Sequence, residues 1–467
     1  MPVEINDKDV EEWQNDASGM MKYYQSQSYS LGESIADLVD NAYDANATEI
    51  DVKIGLDPKT EQPYIRILDN GGGISPEDMN NAMKLGGRRQ RSETDLGVYG
   101  IGMKLSSLSQ AHEVTIVSKK GGKMSLRRIS AHHIVDSNRN ELLKHPTNSA
   151  IFSESKEKFD SENWSTMILL EDVHQASRWQ ELNKSAQMSL GKEVKKVRIH
   201  LGLTYHRIIE ENKDTTLKLD GKIIHALDPF MPWEKDIDYG TVRNDVIIPT
   251  KIDGDLVNVK ASMIIIPHEK RMVEGKRCRV ISSGYKKKNF MQGLYLYRNK
   301  RLIQYGGWQK GMFGENLDPH HSLAKMLIDI PPLQSTWFGL GPTKTNMELN
   351  MEFVRQIEIV IGEKRSWGPI QKGKKLKFGE AFLHRYGKEG KKGKQSTINA
   401  KITGNPLVIP SSVPAPPGQI PKSRAKTIKP KSIISKITEK ENMLILTVDK
   451  NDPAYKGLRA QLRMWEP

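Results

Sequence analysis

Residues 36–45 read ADLVDNAYDA, and with Glu33 upstream the stretch spaces Glu33, Asp37, Asp40, Asn41 and Asp44 three to four residues apart. Ile35, Leu38, Val39 and Ala42 recur with the same period, so a helix here carries an acidic and an apolar stripe on opposite faces. Carboxylates at i,i+4 repel by a few tenths of a kcal/mol per pair. No Lys or Arg lies within the stretch to offset them. A positive centre is therefore expected over that face. Carboxylates and one amide suit a hard cation such as Mg²⁺ and a water molecule.

Two further stretches supply the rest of a nucleotide site. Asp69 ends the apolar run PYIRILD and is followed by Gly71, Gly72 and Gly73. A carboxylate there can accept from an exocyclic amine, and glycines let a flat ring approach the backbone. GVYGIG then places Gly97, Gly100 and Gly102 ahead of a helical stretch, where bare amides favour phosphate. A nucleotide with its metal would be the missing positive centre. A dinucleotide-binding fold would need a strand directly before those glycines, and the polar RRQRSETDL stands there instead.

The elements that must position these groups can be read locally. TEIDVKIG (48–55) and PYIRILDN (63–70) alternate like strands. Ser75, Pro76 and Asp78 predict a helix start with a capping box. KLGGRRQRSETDL (84–96) reads as a loop, with a helix after Gly102 and strands at HEVTIVSKK, KMSLRRIS and STMILLEDV (165–173). Interleaved helices and strands to about residue 205 describe an α/β layer. Beyond it, hairpins are expected about DGD (253–255) and Asn299–Lys300. A helix is predicted with Thr345 and Glu348 as its capping box and Leu349, Phe353, Ile357, Val360 and Ile361 as its apolar face.

Taken in this order, the motifs resemble the GHKL superfamily of ATPases (gyrase, heat-shock chaperone, histidine kinase, MutL), and ADLVDNAYDA with GIGMK looks most like the MORC branch. The resemblance is specific over 28–173. It extends less specifically to 365, where YLYRNKRLIQYGGW and GPTKTNMEL look like that branch's transducer. It implies an α+β fold: a Bergerat-type α/β sandwich ATPase domain (1–205), then a transducer domain (206–365). A basic, Pro-rich, largely disordered segment (366–435) and a short terminal element (436–467) would follow. By the same resemblance Asn41 is the magnesium ligand, Asp69 reads adenine, Gly71 and Gly73 flank it, and Thr166 supports Asp69 through its hydroxyl. Gly97, Gly100, Gly102 and Lys104 belong to the lid and phosphate cradle, and Lys344 reaches the terminal phosphate. The family usually has Glu four residues before the metal-binding Asn as the base that activates water; this chain has Asp37, one methylene shorter. Either the chain shifts to compensate, or turnover is slow and nucleotide acts mainly as a switch; Glu33 is the next candidate base.

Composition narrows the partners. The net charge of +14 favours a polyanion such as DNA, and nine Lys or Arg fall between 372 and 394. The lone Cys278 excludes an internal disulfide. The acidic start MPVEINDKDVEEWQND is not a secretory signal, and no apolar run approaches the ~20 residues a membrane span needs. A cytoplasmic protein is expected. The adjacent pairs His132–His133 and His320–His321 do not face one site, so neither reads as a metal site, and Ser106, Ser107 and Ser109 read as helix packing. The expectation is therefore an ATP-dependent homodimeric switch closing on DNA. Bacterial members of the MORC branch suggest a restriction or anti-phage role by analogy. The alternative is a chaperone-like ATPase acting on protein clients. A histidine kinase is disfavoured because no segment with a phospho-accepting His precedes the site, and a topoisomerase because no acidic cleavage domain follows.

Overall fold

The computed structural model describes residues 16–84, 93–97, 100, 102–179, 184–235, 241–267, 291–309, 323–341 and 347–363, with four strands beyond them. Contacts divide the chain into two units, Met1–Leu317 with Ser322–Phe378, and Asp318–His321 with Gly379–Pro467. Both large sheets lie in the first.

The first sheet begins after helices α1 (Ala17–Ser26) and α2 (Leu31–Asp44), with β1 (Glu49–Leu56) and β2 (Pro63–Asp69). There follow α3 (Pro76–Met83), α4 (Gly102–Leu108), β3 (Glu113–Lys120), β4 (Lys123–Ser130), α5 (Ala131–Ser137), α6 (Ala150–Ser161) and β5 (Thr166–Glu171). It closes with α7 (Ala176–Trp179), α8 (Ala186–Thr204), α9 (His206–Glu211), β6 (Thr216–Leu219) and β7 (Lys222–Ile223). Seven strands run in the order β4-β3-β5-β2-β1-β6-β7, and only β1–β6 is a parallel pair. Strand alternation sends Ile65, Ile67, Ile116 and Ile168 to one face, where Ile35, Leu38 and Val39 of α2 and Val197 and Leu201 of α8 cover them. Leu68, Val117 and Met167 point the other way, against Phe159 of α6 and Trp164. The sheet takes two strands from beyond residue 205, because β6 adds to β1. The boundary drawn at 205/206 from sequence therefore cuts through it.

The second sheet comprises β8 (Val242–Ile252), β9 (Asp255–Ile265), β10 (Gly293–Arg298), β11 (Arg301–Tyr305) and β12 (Ala324–Asp329), in the order β11-β10-β12-β9-β8. Both expected hairpins form. Asp253–Gly254 and Asn299–Lys300 all take positive φ, as a tight two-residue turn between twisted strands requires. Helix α10 (Met351–Glu363) buries Phe353, Val354, Ile357 and Val360.

Several local readings need correction. Helix α10 starts at Met351, with the Asn350 side chain accepting from Glu352 N–H at 2.9 Å; Glu348 and Leu349 precede it, so the expected capping box does not open this helix. Thr345 lies outside the described residues. At α3 the Ser75 hydroxyl accepts from Asp78 N–H at 3.0 Å, but the Asp78 carboxylate turns to the hydroxyl itself at 2.9 Å instead of reaching the Ser75 amide. Within the expected linker, β13 (Ser366–Gln371) and β14 (Lys374–Lys377) pair antiparallel. In the second unit, β15 (Ile434–Lys440) and β16 (Met443–Val448) form a hairpin within and just before the expected terminal element; residues after 448 lie outside the described ones. Among the described residues, no helix is long and apolar enough to cross a membrane.

Candidate active site

Helix α2 forms as its stripes predict, and a true capping box starts it. The Ser30 hydroxyl accepts from Glu33 N–H at 3.3 Å, while the Glu33 carboxylate accepts from Ser30 N–H at 3.0 Å and from its hydroxyl at 2.8 Å. Glu33 is thus engaged at the helix start. The polar face is not a solvated one: Asp37 and Asp40 are only 3% and 1% exposed.

The positive centre over that face is an arginine from the second sheet. Arg301, first residue of β11, places Nε 2.7 Å from Asp40 Oδ1 and Nη2 3.2 Å from Asp37 Oδ1. Burial by itself would lower the pKa of this guanidinium; the Asp40 and Asp37 carboxylates and the Tyr205 hydroxyl raise it instead and keep it charged. Tyr205, at the end of α8, brings its hydroxyl within 2.7 Å of Asp40 Oδ1 and 2.6 Å of the Ala36 carbonyl. Tyr29 donates to Asp37 Oδ2 at 3.4 Å. The expectation that nucleotide and metal alone would fill this role is corrected: a protein side chain already neutralises the buried pair.

The same hairpin reaches the far end of the lid loop. Arg298 donates to the Asp95 carbonyl at 2.6 Å, and Asn299 to the carbonyls of Glu93 and Asp95 at 2.6 and 3.0 Å. Asp44 holds this segment from the other side, accepting from Leu96 N–H at 2.6 Å and Gly97 N–H at 3.0 Å. Burial raises the Asp44 pKa, and those two amides oppose the rise. Gly97, expected in the phosphate cradle, here gives its amide to Asp44. Gly100 has φ +74°, and a Cβ built on Gly102 would lie 3.9 Å from Asp37 Oδ2, so the start of α4 abuts the candidate base.

Asn41 is exposed on α2. Its Nδ2 donates to the Asp37 carbonyl at 3.0 Å, and its Oδ1 has no donor among the described residues. An outward amide oxygen fits a hard cation that takes its remaining ligands from phosphate and water. Asp69 ends β2 opposite Thr166 on β5. Burial lifts its pKa to about 6, against one hydrogen bond from Gly71 N–H at 3.0 Å. The Thr166 hydroxyl lies 3.1 Å from Ser118 Oγ, which in turn accepts from Ile74 N–H, so its recorded bond is to Ser118 and not to Asp69. The glycines after Asp69 are required by the protein's own packing. A Cβ at Gly71 would sit 2.8 Å from Ala45, and one at Gly73, where φ is +63°, would sit 2.0 Å from the Lys119 carbonyl. Lys104 is buried, with Nζ on the carbonyls of Ala82 (2.9 Å) and Lys84 (2.7 Å), where it anchors the end of α3 and the start of the lid. Lys344 lies outside the described residues.

Gly102 at the start of α4 approaches Asp37, and Gly71, two residues past the buried Asp69, packs on Ala45 just after α2, so all three motifs adjoin that helix. Residues 29–163 match the family described as histidine kinase-, DNA gyrase B-, and HSP90-like ATPases. The chain carries a GHKL-type ATPase domain of MORC-like sequence. The chain is 37% identical over 111 residues to Protein MICRORCHIDIA 4 of Arabidopsis thaliana, a match spanning 22% of this chain and 14% of that protein. It is 32% identical over 133 residues to ATPase morc-1 of Caenorhabditis elegans (28% and 15%). With ATPase MORC2B of Mus musculus it shares 34% over 95 residues (20% and 9%). These matches span at most 15% of the relatives' length.

Sequence reasoning gave Arg301, Tyr205 and Asp44 no part in this candidate site. Asp44 was legible as a member of the acidic stripe. The basic cluster Arg298–Arg301 was visible as a hairpin turn within the transducer-like stretch, with nothing local to tie it to α2.

Proposed function

We propose that the chain is a magnesium- and ATP-dependent conformational switch with slow hydrolysis, which dimerises and closes on DNA in its ATP state. The observation that carries this reading is the β10–β11 hairpin, which holds the helix of the candidate base through Arg301 and the lid through Arg298 and Asn299. A change in lid position on nucleotide binding would reach the second sheet directly. Asn41 would hold the magnesium through its amide oxygen, and Asp69 would accept from the adenine amine beside Gly71, Gly73 and Thr166. Gly100 and Gly102 would border the phosphates, with Gly97 and Lys104 positioning the two ends of the lid. Lys344 would reach the terminal phosphate. Bound magnesium-ATP supplies the phosphoryl group that passes to water.

Asp37 would be the base. Two features favour slow turnover: its carboxylate is one methylene shorter than Glu, and it already binds Arg301 and Tyr29. To accept a proton from water it must give up part of that pairing. DNA is the favoured partner because of the +14 charge and the basic run at 372–394. The test is binding to a duplex across a salt series, with and without a non-hydrolysable ATP analogue. Affinity should fall with salt in proportion to the phosphates neutralised and rise with the analogue. Salt-insensitive binding to protein clients without DNA affinity would transfer the function to a chaperone-like ATPase. No response to the analogue, in sedimentation or in binding, would overturn the switch.

A further inference from the structure

The ends of three neighbouring strands of the first sheet meet where His132 lies two residues past β4, His112 just before β3 and Asp172 just past β5. The register pairs Glu113 with both Ser130 and Glu171, which brings His112, His132 and Asp172 together just beyond those residues. We propose that His112, His132 and Asp172 bind a zinc-class divalent cation. Thr166, at the nucleotide end of β5, is six residues away along the strand, roughly 20 Å, so this is a separate site. The proposal does not depend on the ATPase reading.

The geometry is that of a facial set of two nitrogens and one oxygen. Asp172 Oδ2 lies 2.9 Å from His112 Nδ1 and 2.8 Å from His132 Nε2, and all three atoms lie within 4.8 Å of one another. Donors of a tetrahedral zinc ion stand roughly 3.3 Å apart, given Zn–N and Zn–O near 2.1 Å. Entry of the ion therefore needs the carboxylate oxygen to withdraw by roughly 0.5 Å, which a half-exposed side chain can do. A fourth position would be left to water. The backbone beneath is already assembled. His112 N–H donates to the Asp172 carbonyl at 3.0 Å, and Ala131 N–H donates to the His112 carbonyl at 2.8 Å. Asp172 sits in the left-handed region at φ +53°, which Asp tolerates better than most residues.

The surroundings favour a cation with affinity for nitrogen. The His112 ring packs against His132 at 4.6 Å and His174 at 4.8 Å between centroids, which orients its donor nitrogen. Glu113 lies close enough to act on both His132 and Asp172 and adds negative potential, moderated by Arg128 at 3.7 Å. Two imidazoles disfavour Mg²⁺ and Ca²⁺, which take oxygen ligands, and suit zinc. The competing account is a closed hydrogen-bond network in which Asp172 accepts from two protonated ring nitrogens. The two accounts separate experimentally.

The full chain, stripped with a chelator and freed of it, is titrated with Zn²⁺ by calorimetry and with Co²⁺ as a spectroscopic probe, without nucleotide. One equivalent should bind, with the visible absorption of four-coordinate Co²⁺. His132→Gln and Asp172→Asn should each weaken binding at least tenfold while leaving the metal-free circular dichroism unchanged. His133→Gln should bind as the parent does, because His133 Nε2 faces Glu141 at 2.8 Å instead. No stoichiometric binding would overturn the proposal in favour of the hydrogen-bond network. Binding that survives both His132→Gln and Asp172→Asn would overturn it too, by placing the ion elsewhere.

Discussion

Replacing Arg301 with Met would remove the guanidinium that two buried carboxylates on one helix share. Their side chains are 2% and 1% exposed, and that of Arg301 is 5% exposed, so water cannot substitute for the lost guanidinium. Removing one partner of a buried pair costs about 3–5 kcal/mol, and here one cation serves two anions, which favours the upper part of that range. At about 2 °C per kcal/mol, the melting temperature should fall by roughly 6–10 °C. Asp40 would keep the Tyr205 hydroxyl, and Asp37 the longer bond from Tyr29. Adding Asp40→Asn to Arg301→Met should recover part of the loss, with a coupling of about 1 kcal/mol or more in a double-mutant cycle. Urea unfolding at pH 7 of the parent, both single variants and the double variant gives the four energies. A loss below about 1 kcal/mol, the scale of a solvent-screened surface pair, would refute the claim that Arg301 neutralises the acidic helix. The same variant should lose any nucleotide-dependent shift in sedimentation, because the hairpin's hold on α2 is gone.

Asp69→Asn should separate stability from binding. Burial raises the folded pKa to about 6 from an ordinary 3.8, so between those values the folded state holds more protons than the unfolded one. Stability therefore rises as pH falls from about 6 toward 4, and the ionised carboxylate opposes folding above 6 by as much as about 3 kcal/mol. The Asn variant should melt higher than the parent at pH 7.5 yet bind ATP more weakly; a lower melting point would contradict the burial argument. ATP affinity of the parent should also decline as pH drops below about 6, seen by calorimetry. Asn41→Ala should abolish magnesium-dependent ATP binding in a folded protein, and unchanged affinity would remove Asn41 from the site. Asp37→Ala should bind ATP and lose hydrolysis by about 10²–10⁴-fold, whereas Asp37→Glu should keep or raise it; normal turnover in the Ala variant would place the base elsewhere. Gly73→Ala should destabilise severely, since its Cβ would meet the Lys119 carbonyl at 2.0 Å in a left-handed conformation, and a melting curve like the parent's would rule that clash out.

Local chemistry was sufficient for the elements that carry the site. The two stripes of α2, the strand alternation around Asp69 and the two hairpin turns depend on neighbours three or four residues apart, or two, and such periods are written directly into a sequence. The GHKL motifs were legible for the same reason, each being a short segment whose backbone chemistry is local. Tertiary structure alone decided who neutralises Asp37 and Asp40. Arg301 stands 264 residues from Asp37, and its position follows from the register of a second sheet against α2, which no sequence period encodes. The resemblance put Lys104 in the lid and phosphate cradle, and the packing of α4 beside α3 brings its ammonium to the carbonyls of Ala82 and Lys84. Adjacent His132 and His133 do diverge, as their spacing implies, toward Asp172 and Glu141. Only the alignment of three strand ends could bring His112 and Asp172 to the first of them, because in a sheet the partners across the ladder are set by register and not by distance along the chain.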